Sequence, residues 1–129
     1  MTFEPFNLHA DISAAIDEQG YTHATPIQEK AIPHILNRRD VLGLAQTGTG
    51  KTAAFVLPLL QQFMDGPRRR VRALVLAPTR ELAAQIHEAI DSLGRHTGLR
   101  SAAIFGGVGM EPQIKALRRG VEIIVACPG

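Results

Sequence analysis

Eight consecutive residues, Ala45-Gln46-Thr47-Gly48-Thr49-Gly50-Lys51-Thr52, combine paired glycines with an adjacent lysine and threonine, a set suited to gripping phosphate. They follow the apolar run Val41-Leu42-Gly43-Leu44 and precede Ala53-Ala54-Phe55-Val56-Leu57, which is patterned as a helix. A buried strand that ends in a glycine-rich turn lets backbone N–H groups curl around an anion, and the positive N-terminus of the next helix adds to the same point. Lys51 then reaches the β and γ phosphates of a nucleotide, and Thr52 offers its hydroxyl to a magnesium ion. Ala45 stands where the common form of this loop has glycine, so the reading rests on Gly48, Gly50, Lys51 and Thr52 with the strand-then-helix setting. The competing account is a glycine-rich turn carrying a chance Gly-Lys-Thr.

The elements that must position this loop are legible from periodicity. Ile12, Ala15 and Ile16 recur at helical spacing, with Gly20 placed to end the helix. A second helix opens at Thr25-Pro26, threonine as cap and proline in the first turn, with Ile27, Ala31, Ile35 and Leu36 on one side. Residues 37–40 form the turn into a first strand, which leads to the phosphate loop. The loop's helix packs Val56, Leu57, Leu60, Phe63 and Met64, and Asp65-Gly66-Pro67 breaks it. Residues 73–77 read as a fully buried strand, and Pro78-Thr79 opens a helix with core positions Leu82, Ile86, Ile90 and Leu93. Residues 102–105 are a third strand ending in Gly106-Gly107. Ile114 and Leu117 mark a short helix ending near Gly120, and residues 121–126 form a fourth strand. This alternation predicts an α/β fold of right-handed βαβ units, with a parallel sheet covered on both faces.

Bulk composition narrows the function classes. A chain of 129 residues, 45% hydrophobic and 20% charged, is at most one ordinary globular α/β domain. Gly43 and Pro58 punctuate the longest apolar runs, well short of the ~20 residues that cross a bilayer. The residues after Met1 carry no basic or apolar export pattern, and the lone Cys127 fits a reducing cytosol, so a cytoplasmic protein is expected. Net charge is only +2, but basic residues cluster at 38–39, 68–72 and 115–119. Such clusters suit a polyanion and equally suit solvated loops and helix ends.

At this point the chain resembles the N-terminal part of the first RecA-like domain of a DEAD-box ATP-dependent RNA helicase. Gly20-Tyr21-Thr22-His23-Ala24-Thr25-Pro26-Ile27-Gln28 resembles the family's Q motif, with Phe3 at the position of its isolated upstream aromatic. Residues 45–52 resemble motif I, in which alanine at the first position is usual. Pro78-Thr79-Arg80-Glu81-Leu82-Ala83 resembles motif Ia, Gly106-Gly107 the GG motif, and Ala126-Cys127-Pro128-Gly129 the opening of motif Ib, with cysteine where threonine is usual. Phe105-Gly106-Gly107-Val108 leans towards bacterial RhlE-type members. The resemblance implies a RecA-like P-loop NTPase fold, here an incomplete domain spanning residues 1–129. It also implies ATP with Mg as cofactors and RNA as partner, held by its sugar-phosphate backbone. The Asp-Glu-Ala-Asp motif, the Ser-Ala-Thr motif and the second RecA-like domain with its arginines do not occur in these residues.

Carried over residue by residue, the resemblance assigns Phe3, Tyr21, Gln28, Gln46, Thr47, Gly48, Thr49, Gly50, Lys51 and Thr52 to ATP, with Lys51 and Thr52 catalytic and Thr52 on Mg. It assigns Pro78, Thr79, Arg80, Gly106, Gly107, Pro128 and Gly129 to RNA. Each role has a structural rival. The Gln28 amide can pair with the adenine edge, yet Thr25 with Gln28 three residues on is also a capping box. Phe3 can stack on adenine or simply anchor the terminus. Thr79 with Arg80 at a helix start suits an RNA phosphate, and Thr79 is also an ordinary cap. Gly106 and Gly107 admit close backbone approach or just make a turn. Cys127 lacks the hydroxyl used against phosphate and reads as a small buried residue. The five histidines show no metal-ligand spacing and read as surface or packing residues.

Three functions compete. The first is an RNA-dependent ATPase that remodels duplexes, of which these residues supply ATP and RNA-backbone binding. The second is a non-hydrolysing nucleotide or RNA binding module, and the third a small-molecule kinase, for which no segment supplies a substrate lid. None of Glu81, Glu88, Asp91, Glu111 or Glu122 stands at a family position for the missing acids. The family's strand order further implies that strands flanking residues 41–45 come from later sequence, which leaves those residues with unpaired edges.

Overall fold

The computed structural model describes residues 1–46, 48–107 and 109–128. Thr47, Val108 and Gly129, all named above, lie outside the described residues. A single 3-10 turn at Glu4–Phe6 leads into helix α1 (Ala10–Glu18), followed by α2 (Pro26–Leu36) and α3 (Lys51–Phe63). Strand β1 (Ala73–Leu76), helix α4 (Arg80–Leu93), strand β2 (Ser101–Phe105), helix α5 (Glu111–Arg119) and strand β3 (Ile123–Cys127) complete the order. The sheet is parallel in the order β1-β3-β2, the last strand being inserted between the first two.

Burial follows the apolar stripes, except that Met64, just past the end of α3, and Leu82 in α4 are half-covered and pack against the core rather than inside it. Ile12, Ala15 and Ile16 of α1, Val56, Leu57, Leu60 and Phe63 of α3, and Ile86, Ile90 and Leu93 of α4 join Ile123 and Val125 of β3 in one core. In α2 the stripe is rotated from the expected one: Ala31 and Ile32 are buried, while Ile27, Ile35 and Leu36 are half-covered. Ile32 belongs to the face that meets α3, and its neighbours take the rim. Leu60 lies beneath Gly94, where a Cβ would come within 3.1 Å of its Cδ2, so the end of α4 sits directly on α3.

Two expectations about strands need correction. Residues 41–44 are not a strand: they take no regular structure, and Leu42 and Leu44 stand 86% and 84% exposed. A strand exists by virtue of its ladder partners, and among the described residues β1 and β2 pair only with β3. An apolar sequence is a demand for neighbours, and here none meets it.

The second correction concerns β1, read as fully buried. Its residues alternate in exposure, with Leu74 and Leu76 61% and 64% exposed. The register places Leu74 opposite Ile124 and Leu76 opposite Ala126, so these four share one face of the sheet. The sheet is therefore not covered on both faces at β1, and the outer edge of β1 is open among the described residues. An open edge bearing apolar side chains is a template for another chain. The α5 positions Ile114 and Leu117 are also exposed, at 39% and 40%.

Two outcomes follow. Sedimentation velocity on the 129-residue chain should show association that grows with concentration, and Leu76→Lys should suppress it without lowering the unfolding midpoint; a monomer at every concentration would contradict the open-edge account. Leu60→Ala, at a site with no solvent exposure, should cost about 2–5 kcal/mol in denaturant unfolding.

Candidate nucleotide and RNA site

The phosphate loop turns on two glycines with φ of +85°, Gly48 and Gly50. Both lie in the left-handed region where a side chain is strained. Around Gly48 no atom lies within 4 Å of where a Cβ would stand, so the loop leaves open room at that point. At Gly50 the crowding is severe: a Cβ would strike the Gln28 amide and lie 3.1 Å from Thr25 Oγ1. Gly50 caps α3, and its carbonyl accepts from Ala54 N–H at 3.2 Å.

Gln28 explains that crowding. Its side chain is buried, its Oε1 accepts from Thr25 N–H at 3.0 Å, and its Nε2 donates to the Gly50 carbonyl at 3.1 Å. The amide thus closes the start of α2 and clamps the phosphate loop at once. Half of the capping box is made with good geometry; Thr25 Oγ1 stands in capping position but is buried without a hydrogen-bond partner. An amide carries two donor hydrogens and two acceptor lone pairs, so one of each remains on Gln28.

Lys51 folds back over the loop, its Nζ donating to the Ala45 carbonyl at 2.6 Å, and Thr49 Oγ1 donates to the Gln46 carbonyl at 2.6 Å. An ammonium has three donors, so two of those on Lys51 remain for phosphate. Phe3, Tyr21, Gln28, Gly48, Gly50, Lys51 and Thr52 line one cavity of about 780 Å³, together with His23 and Thr25. His23 and Thr25 were not singled out as site residues from sequence; their place in the Q-motif segment was the available signal. Gln46 and Thr49 contribute to the loop's internal bonds and do not line the cavity. The cavity also runs beneath α4 to Val75 and Leu76.

ATP with Mg fits this donor set. Open space lies over a glycine turn, an ammonium and a threonine hydroxyl stand at a helix start, and an orphaned buried hydroxyl adjoins the loop. Phe3 packs edge-on to Phe6, with centroids 6.0 Å apart, so its ring serves the terminus as well as the cavity wall.

At the carboxyl end of the strands a second group assembles. Thr79 Oγ1 accepts from Leu82 N–H at 3.1 Å and caps α4. Arg80 donates to the Gly106 carbonyl at 2.7 Å, and Gly106 N–H reaches the Cys127 carbonyl at 3.4 Å. The motif Ia, GG and motif Ib segments therefore converge, with Pro78, Gly107 and Pro128 exposed beside them. Cys127 is buried with a free thiol. Three histidines make structural contacts: His9 caps α1, His87 bonds Ser101 across α4 and β2, and His96 bonds Glu18 at the end of α1.

A glycine-turned loop with its lysine at a helix start, beside parallel strands whose connecting loops gather at one end, defines a RecA-like P-loop nucleotide-binding fold. Residues 25–129 match the DEAD/DEAH box helicase family, and the chain belongs to it. It is 52% identical over 128 residues to the ATP-dependent rRNA helicase RRP3 of Meyerozyma guilliermondii, covering 99% of this chain and 27% of that protein. It is 50% identical over 129 residues to the ATP-dependent RNA helicase DeaD of Escherichia coli, covering 99% of this chain and 20% of that one. Among solved structures, the RNA helicase Prp28 of Chaetomium thermophilum bound to ADP superposes with a TM-score of 0.88 at 42% identity, over 98% of this chain and 32% of that one. A DEAD box protein from Methanococcus jannaschii superposes at 0.89 and 39% identity, over 98% and 34%. The chain thus spans between a fifth and a third of the relatives it matches.

The Gln28 geometry generates a sharper test than adenine recognition alone. Gln28→Ala removes the clamp on Gly50, so ATP and GTP affinities should both fall, and a loss for ATP larger by about 1–3 kcal/mol is the signature expected of the spare donor and acceptor reading adenine. Calorimetric titration of both nucleotides reads the difference; equal losses would assign Gln28 to the loop alone.

Proposed function

We propose that this chain supplies the ATP grip and part of the RNA-backbone grip of an ATP-dependent RNA helicase, in which RNA-stimulated ATP hydrolysis drives duplex remodelling. The observation that carries the reading is the Gln28 bridge, which ties the Q-motif helix to the phosphate loop within the cavity that Lys51 and Thr52 also line. In this reading Lys51 trades part of its hold on the Ala45 carbonyl for the β and γ phosphates, and Thr52 holds Mg through its hydroxyl. Bound ATP and Mg supply the phosphoanhydride and the neutralising charge. Gly48 and Gly50 let backbone N–H groups face the phosphates, while Phe3, Tyr21 and Gln28 border the base. Arg80, held by Gly106, and Thr79 offer a guanidinium and a hydroxyl to RNA phosphate, with Pro78, Gly107, Pro128 and Gly129 admitting the sugar-phosphate chain. Such contacts carry no strong base preference.

The proposal extends to a cytoplasmic site of action and, on residues 105–108, to an RhlE-type place within the family. Among the described residues no helix is long and apolar enough to cross a membrane.

Hydrolysis needs an acid to position water and positive charge on the γ phosphate at the transition state, and a single arginine finger is worth roughly 10³ to 10⁵ in rate. Residues 1–129 hold Lys51 and Thr52 but neither of those parts, so the expected behaviour is at most weak ATP binding, with neither RNA-stimulated phosphate release nor unwinding. Phosphate release that rises on adding RNA and vanishes in Lys51→Ala would overturn this assignment of parts.

A further inference from the structure

The amino ends of the three parallel strands lie opposite the nucleotide and RNA loops, and they carry a concentration of arginine that the proposed site does not use. Arg72 precedes β1, Arg100 precedes β2 and Glu122 precedes β3. Glu122 is buried, and its two carboxylate oxygens accept the backbone N–H groups of Arg69 and Arg100, at 2.7 Å for Arg100. Its backbone carbonyl accepts from Arg72 N–H at 2.7 Å. Gly120 presses against Arg69, since a Cβ there would stand 2.8 Å from the Arg69 carbonyl, and this brings the Arg118-Arg119 end of α5 alongside.

The guanidiniums divide into two kinds. Arg68 donates to the Thr97 carbonyl at 2.8 Å, and Arg72 lies over the Phe63 ring at 4.1 Å while bonding the Phe63 carbonyl, so both hold the fold together. Arg69, Arg70, Arg100, Arg118 and Arg119 are exposed, and among the described residues none of them forms an ion pair with a carboxylate. The carboxylate between Arg69 and Arg100, that of Glu122, turns its oxygens to their backbone N–H groups. These five guanidiniums are therefore left outside carboxylate ion pairs among the described residues.

We propose that this arginine face is a second binding surface for the RNA phosphate backbone, anchoring RNA that extends beyond the segment gripped at the loop end. It rests on the reading of the chain as acting on RNA. Guanidiniums pair bidentately with phosphate oxygens, and a chain of regularly spaced phosphates engages several at once. The patch holds a hollow of about 110 Å³ lined by Arg68, Arg69, Gly98, Arg100, Gly120 and Glu122, with Val71 exposed beside it and Ile114 and Leu117 exposed on α5. The lining of that hollow carries guanidiniums and no aromatic ring, so it offers charge pairing without stacking, which suits a chain of phosphates. The two grips on one RNA raise affinity through effective concentration only when the RNA is long enough to reach both.

The test compares the full chain with Arg70→Gln/Arg100→Gln/Arg118→Gln/Arg119→Gln by fluorescence anisotropy on oligouridylates of about 8 and about 30 nucleotides across a potassium chloride series. The expected result is an unchanged affinity for the short RNA. For the long one, affinity should fall at least about tenfold at low salt, and the log–log salt slope should drop by about 0.7 per lost phosphate contact. The pair Arg118→Gln/Arg119→Gln, confined to the exposed end of α5, should show part of the same slope loss, and it decides the matter if the fourfold variant fails to fold. An unchanged slope on the long RNA overturns the proposal while leaving the RNA helicase reading intact, whereas absence of RNA binding by the unsubstituted chain removes both. Competition by polyglutamate at charge concentrations equal to RNA would also overturn it, in favour of an acidic protein partner.

Discussion

The contact on which the nucleotide end of this molecule depends is the Gln28 amide. It reaches from the first turn of α2 to the carbonyl of Gly50, the residue that caps α3. Because its other end satisfies the free Thr25 N–H, the side chain cannot rotate away without exposing a buried polar group. Helix α2 is thereby fixed to α3 at the point where the phosphate loop turns, and the loop inherits its shape from a residue more than twenty positions earlier in the chain. Gly50 is favoured for a second reason besides its positive φ: a side chain there would have to displace that amide from its bond to the loop.

At the far end of the sheet, Glu122 plays the corresponding part with opposite chemistry. A buried carboxylate is costly unless its oxygens are hydrogen-bonded. Here the acceptors are filled by N–H groups from the segments before β1 and β2, so one side chain gathers the starts of all three strands. The arginines whose backbones do this binding project their side chains outward. The two ends of the sheet consequently present distinct surfaces, one of loops and glycine turns, the other of guanidiniums.

Between them the sheet itself is the least completed part. With β3 in the centre, both of its edges are satisfied, while β1 keeps one edge and one face open. Leu42, Leu44, Leu74 and Leu76 are apolar and mostly exposed for this common reason. The cavity lined by the phosphate loop spreads under α4 to Val75 and Leu76 of β1, whose outer edge is unpaired among the described residues.

Local signals in the sequence settled a good deal. Thr25-Pro26 and Pro78-Thr79 placed the starts of α2 and α4, the stripes of α1, α3 and α4 named most of their buried residues, Met64 and Leu82 being half-covered, and the glycine spacing with Lys51 and Thr52 named the phosphate loop. These are properties of a few adjacent residues, or of one helical face, and need no knowledge of what lies across the molecule. Tertiary structure alone decided that residues 41–44 form no strand, that β1 is half exposed, that Gln28 is shared between a helix cap and Gly50, and that Glu122 is an internal acceptor. Each of these depends on a partner distant in sequence. A ladder needs a second strand, burial needs a covering face, and a side-chain amide or carboxylate takes whichever backbone group the fold brings within about 3 Å.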